Sequence, residues 1–474
     1  MIDITRQSGS KQPIAPHKQR IYNEIIEYLD QHWAITPTNT LERMKKLDTA
    51  CGNPSQKLNT ILITGSNGKS LTIHFAAKLL RSEGLKVGTF CSPSILTYNE
   101  QLNINQEMIS NKTFTELGNE VITMADTLGI KLHSQEILTM MALLHFKNNT
   151  IDVALLEVNA GGKFDPVNIC HAKIATITRI TAKDTKTTEE DLNQLTHQMV
   201  GIVKPGTILV SGDQNKSRLQ LMQELTKAQG GTWAMPIRKL AILPYPYSSI
   251  HGRSASLAER ISHLYIEKFL AKETMVVAAS VLVRQKGRRG RPTLDEKRKA
   301  LESPRRTLEQ FWKDELSELP GRFQLLEKEK PTILLDIADN LDAFTNLLLG
   351  IRLLHYQRPL KGLAIIVSAA QNTLHDEKFI KLIRYFFKKT SGQLFICPFE
   401  KITSQPNQVS WDIEQVANDI RSVKIKGVIK ACKSFEEAFE LAKKSVDERN
   451  GLVVITGSIS VINYYWRDKG IKKL

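Results

Sequence analysis

A glycine-rich segment near residue 65 is the feature that most constrains the fold of this chain. Residues 64–70 read Thr-Gly-Ser-Asn-Gly-Lys-Ser and stand between the apolar run 58–63 and the amphipathic stretch 71–80. This order predicts a strand, a tight loop and a helix, in which backbone N–H groups and the helix N-terminus surround a phosphate group. The predicted phosphate-binding residues are Gly65, Ser66, Asn67, Gly68, Lys69 and Ser70.

The side chains of this loop predict binding of ATP with Mg²⁺. Lys69 would reach the terminal phosphates, and the hydroxyl of Ser70 could ligate the metal ion. The spacing is shorter than in the strict phosphate-loop pattern, because Ile63 stands where the first glycine would be. An ordinary tight turn between a strand and a helix is the alternative interpretation.

Length, charge and cysteine usage limit the class of protein. A chain of 474 residues with 41% hydrophobic content is expected to form two or three globular domains. No apolar run approaches the roughly 18 residues of a membrane helix, and residues 1–20 lack an apolar signal core. The five scattered cysteines predict free thiols in the cytoplasm. A net charge of +16 suits anionic substrates or a polyanion.

Apolar runs alternate with helical stretches along two parts of the chain. The first set of predicted strands covers 61–63, 87–91, 153–158, 174–180 and 208–211, and the second covers 332–336, 362–367, 393–397, 427–430 and 451–456. Such alternation predicts mainly parallel sheets that are covered by helices on both faces. We therefore predict an α/β chain in which domain 1–316 holds the phosphate loop and a smaller Rossmann-like α/β domain spans 317–474.

Several further short motifs stand along the chain, in the segments 41–44, 52–54, 92–93, 98–100, 156–165, 201–206, 320–324 and 456–458. The longest, 156–165, carries a glutamate and a glycine pair, and 320–324 reads Pro-Gly-Arg-Phe-Gln. In their residues and in their order these motifs resemble those of the folylpolyglutamate synthase and dihydrofolate synthase family, a branch of the Mur ligases. The resemblance covers most of the chain.

The resemblance implies ATP-dependent amide ligation. ATP would phosphorylate a folate or dihydropteroate-type carboxylate, and the amine of L-glutamate would attack the acyl phosphate. The catalytic residues would be Lys69, Glu157 and Asp184, and the metal ligands Ser70, Ser92, Glu157 and Asp184. Arg322 and Asp336 match the second domain's contacts to ATP phosphate and ribose, respectively. The alternatives are a surface carboxylate for Glu157 and an inter-domain salt bridge for Arg322 or Asp336. His251 falls near a family segment that contacts ATP, but we interpret it as a plain loop residue.

The sequence departs from the family at reactive positions. Asp184 stands in the place of a metal-binding histidine, and its carboxylate could still ligate Mg²⁺. Met199 replaces the lysine that the family carbamylates to form a further metal ligand, and a thioether is a poor ligand for Mg²⁺. Asp339 replaces a second histidine. These changes leave three alternatives open: a working ligase with a rebuilt metal site, a ligase for another acid, or a degenerate relative that retains the fold and nucleotide binding.

A basic stretch at 284–306 interrupts the α/β pattern. Ten basic and three acidic residues give it a charge of +7. Its Arg-Arg-Gly-Arg-Pro segment at 288–292 resembles an AT-hook, which would place arginines in a DNA minor groove. We favour a solvated insertion, because no aromatic residues are interleaved for base stacking. The expected partners are therefore the acid and L-glutamate, with neither nucleic acid nor membrane, and the family analogy implies a monomer.

Overall fold

The fold is built around two β-sheets. The structure is a computed structural model and describes residues 19–33, 40–159, 161–182, 186–270, 307–371, 374, 376–399, 409–421 and 427–474. Asp184 and the basic stretch 284–306 lie outside these residues, so the predictions made for them stay predictions.

The first sheet has eight strands in the order β4-β3-β2-β5-β1-β6-β7-β8. The strands are β1 (Thr60–Thr64), β2 (Val87–Phe90), β3 (Leu102–Ile104), β4 (Glu107–Met108), β5 (Val153–Glu157), β6 (Ile174–Ile177), β7 (Ile208–Ser211) and β8 (Thr232–Trp233). Strands β2, β5, β1, β6, β7 and β8 pair in parallel, and β3 and β4 add an antiparallel edge. The predicted parallel sheet is confirmed.

Both faces of the first sheet are buried, which explains why its strands read as continuous apolar runs. In β1, Leu62 belongs to the apolar core on one face, whereas Ile61 and Ile63 belong to the core on the other. All five residues of β1 are buried. Because successive side chains of a strand point to opposite faces, a sheet covered on both sides favours apolar residues at consecutive positions, as at Ile61, Leu62 and Ile63.

The second sheet repeats this arrangement on a smaller scale. Its six strands have the order β13-β12-β11-β14-β10-β9. They are β9 (Gln324–Leu326), β10 (Thr332–Asp336), β11 (Leu363–Val367), β12 (Gln393–Ile396), β13 (Val428–Ala431) and β14 (Leu452–Thr456). All pairs are parallel except that of β9 with β10. The two sheets lie on either side of the predicted boundary at 316/317, which itself stays a prediction.

Helices cover both sheets. In and around the first sheet they are Tyr22–Gln31, Thr40–Ala50, Pro54–Lys57, Lys69–Ser82, Asn111–Thr127, Ser134–Asn148, Glu189–Val200, Lys216–Ala228, Tyr247–Phe269 and Leu308–Glu315. Around the second sheet they are Leu341–Gln357, Glu377–Lys389, Ile413–Arg421, Phe435–Lys444 and Ile459–Asp468. Short 3₁₀ helices occupy Tyr98–Gln101 and Pro166–Ile169. None of the described helices is both long and apolar enough to cross a membrane.

The ten predicted strands are all present, but four others were missed. Strands β3, β4, β8 and β9 have only two or three residues each. Such short segments are too brief to carry a periodic pattern. Because β4, β8 and β9 are edge strands and β3 lies next to an edge, they do not alter the position of the phosphate loop, which follows a central strand.

Candidate functional site

The glycine-rich loop lies where the sequence predicts it, between β1 and the helix Lys69–Ser82. Gly65 has a φ of 139°, and a Cβ added there would lie 2.0 Å from Oγ1 of Thr178. Gly68 immediately precedes the helix with a φ of 83°. Both backbone conformations favour glycine, and the close approach at Gly65 leaves no room for a larger residue. The loop can therefore lie flat against the end of β6.

Hydrogen bonds from the residues that follow β6 hold the loop in this position. Thr178 donates from Oγ1 to the carbonyl oxygen of Asn67 at 2.6 Å. The N–H of Ser66 donates to the carbonyl oxygen of Arg179 at 2.9 Å. The loop is therefore anchored at two consecutive residues before the helix begins.

Lys69, at the start of the helix that follows the loop, faces Glu157 at the carboxyl end of β5. Nζ of Lys69 lies 3.7 Å from Oε1 of Glu157 and donates to the carbonyl oxygen of Gly65 at 3.0 Å. The side chain of Glu157 is only 5% exposed. Burial raises the pKa of the Glu157 carboxyl, and the charges of Lys69 and Arg322 oppose that rise. The alternative of a surface carboxylate is therefore wrong, because Glu157 is buried beside a cation.

Ser92 brings a hydroxyl to the same place. Its N–H donates to Oε2 of Glu157 at 3.3 Å, and its Oγ accepts from Nδ2 of Asn159 at 2.6 Å. Parallel strands end at a common edge, so the residues that follow β2 and β5 meet there. The backbone of Ser92 thus orients the carboxylate while its hydroxyl lines the cavity.

Arg322 and Asp336 enter the site from the second sheet. Nε of Arg322 donates to Oγ of Ser70 at 3.2 Å, which joins the second sheet's domain to the phosphate loop. Oδ2 of Asp336 accepts from the N–H of Phe323 at 2.7 Å. Burial raises the pKa of Asp336 to about 7, although Arg322 acts in the opposite direction. The guanidinium of Arg322 and the carboxylate of Asp336 therefore interact electrostatically within one site.

A cavity of about 420 Å³ lies between the two sheets and brings these groups together. The predicted site residues that line it are Ser66, Asn67, Gly68, Lys69, Ser70, Ser92, Glu157, Arg322 and Asp336. Gly65 shapes the loop but does not line the cavity, and Asp184 lies outside the described residues. The volume of the cavity falls within the range of small-molecule binding sites.

His251 was interpreted from the sequence as a plain loop residue, and that interpretation is wrong. It lies in the helix Tyr247–Phe269, is 5% exposed and lines the cavity. Its ring stacks on Tyr247 and meets the edge of Phe323, and burial lowers its pKa to about 4. A neutral imidazole therefore forms part of the wall. The helical run of apolar residues at 250, 257, 258 and 261 was the signal that could have placed it.

The oxygen donors of the cavity fit a hard cation such as Mg²⁺. Ser70, Ser92 and Glu157 supply two hydroxyls and one carboxylate, and Mg²⁺ is typically held by one or two carboxylates together with substrate phosphates. Among the described residues, no cluster of three or more His, Cys, Asp or Glu could hold a metal ion by itself. Met199, at the position of the family's modified lysine, is 6% exposed and packs in the apolar core.

Sequence comparison finds relatives along part of the chain. No protein-family model matches it. The dihydrofolate synthase/folylpolyglutamate synthase of Bacillus subtilis is 30% identical over 188 residues, which cover 39% of this chain and 44% of that protein. The folylpolyglutamate synthase of Lacticaseibacillus casei is 25% identical over 236 residues, which cover 49% of this chain and 54% of that protein. The chain thus spans about half the length of these relatives.

Structural comparison extends the likeness to nearly the whole chain. The Mycobacterium tuberculosis folylpolyglutamate synthase complexed with ADP and AMPPCP covers 96% of this chain with a TM-score of 0.72 and 18% identity, over 99% of its own length. Identity at this level establishes the fold alone. Over the matched part of its sequence the chain is similar to the folylpolyglutamate and dihydrofolate synthases, and over nearly its whole length it has a similar fold.

Proposed function

We propose that this chain is an ATP-dependent ligase that adds L-glutamate to the carboxylate of a folate or dihydropteroate-type acid. The observation that supports the proposal is the single cavity in which Lys69, Glu157 and Ser92 from the first sheet face Arg322 and Asp336 from the second. Cations that converge on one small cavity can bind a nucleotide's phosphates and offset the charges of the reacting groups.

In the first step, an oxygen of the acid's carboxylate attacks the terminal phosphorus of ATP, and the bond to the ADP oxygen breaks. Lys69 would bind the terminal phosphates from the loop side, and Arg322 would approach them from the second domain. In the second step, the amine of glutamate attacks the acyl carbon and loses a proton, and inorganic phosphate leaves. Both steps bring anions together, so fixed cations lower the barrier.

Asp336 would contact the ribose of ATP from the end of β10. A carboxylate at a strand end is the usual partner of a ribose hydroxyl in Rossmann-like domains. Its raised pKa implies that nucleotide binding to Asp336 depends on pH near 7.

A neighbouring cavity of about 330 Å³ is suited to the acid substrate. It shares Ser70, Ser92 and Arg322 with the first cavity, and its own wall includes Ile73 and Ile95. A flat, partly apolar ring system would pack on the aliphatic side chains, and its carboxylate would point toward the shared residues. This arrangement would place the carboxylate beside the terminal phosphate of ATP.

Ser70, Ser92, Glu157 and Asp184 would hold Mg²⁺ in this proposal. The ion would neutralise charge on the phosphates of ATP. We infer that Asp184 restores part of the negative charge that the family draws from its modified lysine, because Met199 cannot carry it. Replacement of Asp184 by alanine should then abolish turnover without lowering the melting temperature, and normal turnover of that variant would contradict the rebuilt site.

The test is ATP-dependent incorporation of labelled glutamate into dihydropteroate and, separately, into tetrahydrofolate. Incorporation by the wild-type chain and its loss in Glu157→Gln would support the proposal. Glu116→Gln is the matched control, because Glu116 is an exposed carboxylate that pairs with Lys112 on the helix Asn111–Thr127. Nucleotide binding without incorporation into either acid would favour the degenerate relative or another acid substrate.

We also place the protein in the cytoplasm, and the five free cysteines support that location. A monomeric state is proposed by analogy with the family, and sedimentation velocity of the full chain would test it.

A further inference from the structure

The side chain of Asn67, in the middle of the phosphate loop, is held by residues of the second domain. Nδ2 of Asn67 donates to Oδ1 of Asn340 at 3.0 Å and to Oδ2 of Asp342 at 2.7 Å. In return, Nδ2 of Asn340 donates to Oδ1 of Asn67 at 2.8 Å. The amide group of Asn67 therefore uses its donors and its acceptor on groups that lie more than 270 residues away in sequence.

Asp342 also contacts the strand end that supports the loop from the other side. Its second oxygen, Oδ1, accepts from a guanidinium nitrogen of Arg179 at 2.6 Å. The carbonyl oxygen of Arg179 accepts from the N–H of Ser66, one residue before Asn67. The carboxylate of Asp342 thus completes a hydrogen-bond network that runs from Asn67 through Asp342 and Arg179 back to the loop backbone.

We infer that Asp342 is a positioning residue that fixes the phosphate loop when the two domains are in contact. The inference rests on the nucleotide-binding part of the proposed function and adds a residue that couples domain contact to that binding. A phosphate site needs its backbone N–H groups aimed in advance, and ordering them before binding increases affinity. Hydrogen bonds to a charged group are stronger than those between neutral groups, so Asp342 should contribute more than Asn340.

The position of Asp342 suits this role. It lies in the first turn of the helix Leu341–Gln357, where Asn340 caps the helix by accepting from the N–H of Ala343. Its side chain is 23% exposed and that of Arg179 is 40% exposed, so salt should partly screen the pair. If Asp342 only joined the two domains, removal of its charge would not change how strongly salt accelerates the release of nucleotide.

The experiment measures the dissociation rate of a fluorescent ADP analogue from the full-length chain by stopped flow. Asp342→Ala and Asn67→Ala should each increase the rate about tenfold, the scale of one charge-assisted hydrogen bond. In the double variant the two increases in dissociation rate should not multiply, because either substitution alone already breaks the hydrogen-bond network. Arg179→Gln should act in the same direction, and its effect should disappear when Asp342 is already alanine.

Glu377→Gln is the matched control for loss of a carboxylate. Glu377 also lies in the first turn of a second-domain helix, but it pairs with Lys381 on the same helix. The control should leave the dissociation rate unchanged. Asp342→Glu, which keeps the charge, should recover part of the wild-type rate. Raising the salt concentration should accelerate release from the wild-type chain more steeply than from Asp342→Ala. Thermal unfolding of each variant establishes that it is folded.

Effects of Asn67→Ala and Asp342→Ala that multiply in the double variant would overturn the inference, as would an unchanged dissociation rate in folded Asp342→Ala. A wild-type chain that binds no nucleotide would overturn this inference together with the proposed function. A chain that binds nucleotide but incorporates no glutamate would remove the ligase function alone, and the coupling through Asp342 would be judged on the dissociation rates.

Discussion

Replacement of Lys69 by methionine should affect nucleotide affinity and the protonation of a buried carboxylate together. Methionine retains most of the length of the side chain but removes the charge that lies 3.7 Å from Glu157. It also removes the hydrogen bond to the carbonyl oxygen of Gly65. Because Lys69 is only 16% exposed, solvent can replace the lost cation only in part.

The expected loss of nucleotide affinity is that of one charged hydrogen bond. Such bonds contribute about 1.5–3 kcal/mol, which corresponds to a roughly 10- to 150-fold increase in Kd. The effect should be similar for ADP and a non-hydrolysable ATP analogue if Lys69 contacts a phosphate that both share, and larger for the ATP analogue if it contacts the terminal phosphate.

The effect on stability should depend on pH through Glu157. At an effective dielectric constant of about 20, charges 3.7 Å apart attract each other by roughly 4 kcal/mol, which is an upper limit. Burial already raises the pKa of Glu157 above its ordinary value of 4.5, and loss of Lys69 should raise it further. A raised pKa in the folded state favours folding at low pH and loses that contribution as pH rises. The variant should therefore be less stable than wild type by about 1–3 kcal/mol near pH 8 and by less near pH 4.

Calorimetry with ADP and urea unfolding across this pH range measure the two effects. Lys112→Met is the matched control, because Lys112 is 85% exposed and lies 4.0 Å from Glu116 on the same helix. It should change neither quantity. If the Lys69 variant binds each nucleotide as tightly as the wild type does, the role of Lys69 in binding is refuted. A stability difference between the two proteins that does not vary with pH would refute the coupling to Glu157.

Three further predictions concern the loop, the second domain and the insertion. Gly65→Ala should destabilise the fold by about 2 kcal/mol or more and weaken ADP binding, because its Cβ would collide with Thr178. Gly84→Ala is the control: Gly84 has a φ of 86° and no atom within 4 Å of an added Cβ, so this variant should lose less stability in urea unfolding. The wild-type carboxyl of Asp336 has a pKa raised to about 7, so the wild type should lose stability as pH rises from about 4 through 7. Asp336→Asn has no such carboxyl and should gain about 1–3 kcal/mol relative to wild type over this range. Parallel profiles of stability against pH would contradict this. Deletion of 284–306 should leave the melting temperature within a few degrees and abolish any binding of AT-rich DNA at low salt; unchanged DNA affinity would exclude the hook.

The sequence identified the central strands and the phosphate loop because each has a strong local signal. β1 is apolar at three consecutive positions, 61–63, and the glycines at 65 and 68 stand in the loop that follows it. The placement of Arg322 and Asp336 opposite Ser70 depends instead on how the two domains meet. No local pattern encodes that contact, and only the resemblance to a known family could suggest it.

Asn67 illustrates the same division. Its place in the loop was evident from the sequence, whereas its bonds to Asn340 and Asp342 join segments far apart along the chain. His251 was misassigned because its helix begins after a proline-rich stretch, where the pattern at 240–250 is typical of a loop. Burial among aromatic rings, rather than any motif, places it in the cavity wall.

The surroundings of Gly162 and Met199 show that packing constrains a glycine more tightly than a neighbouring side chain. Gly162 has a φ of 65°, and a Cβ there would lie 2.4 Å from the carbonyl oxygen of Gln198 and 2.7 Å from Cα of Met199. The N–H of Lys163 donates to that same carbonyl oxygen at 2.8 Å. The loop that follows Glu157 therefore docks on the backbone of the helix Glu189–Val200, whatever side chain stands at 199. Because this packing constrains the glycine but not the chemistry at 199, the motif can survive a change of metal ligand, and a retained glycine motif is evidence for the fold rather than for catalysis.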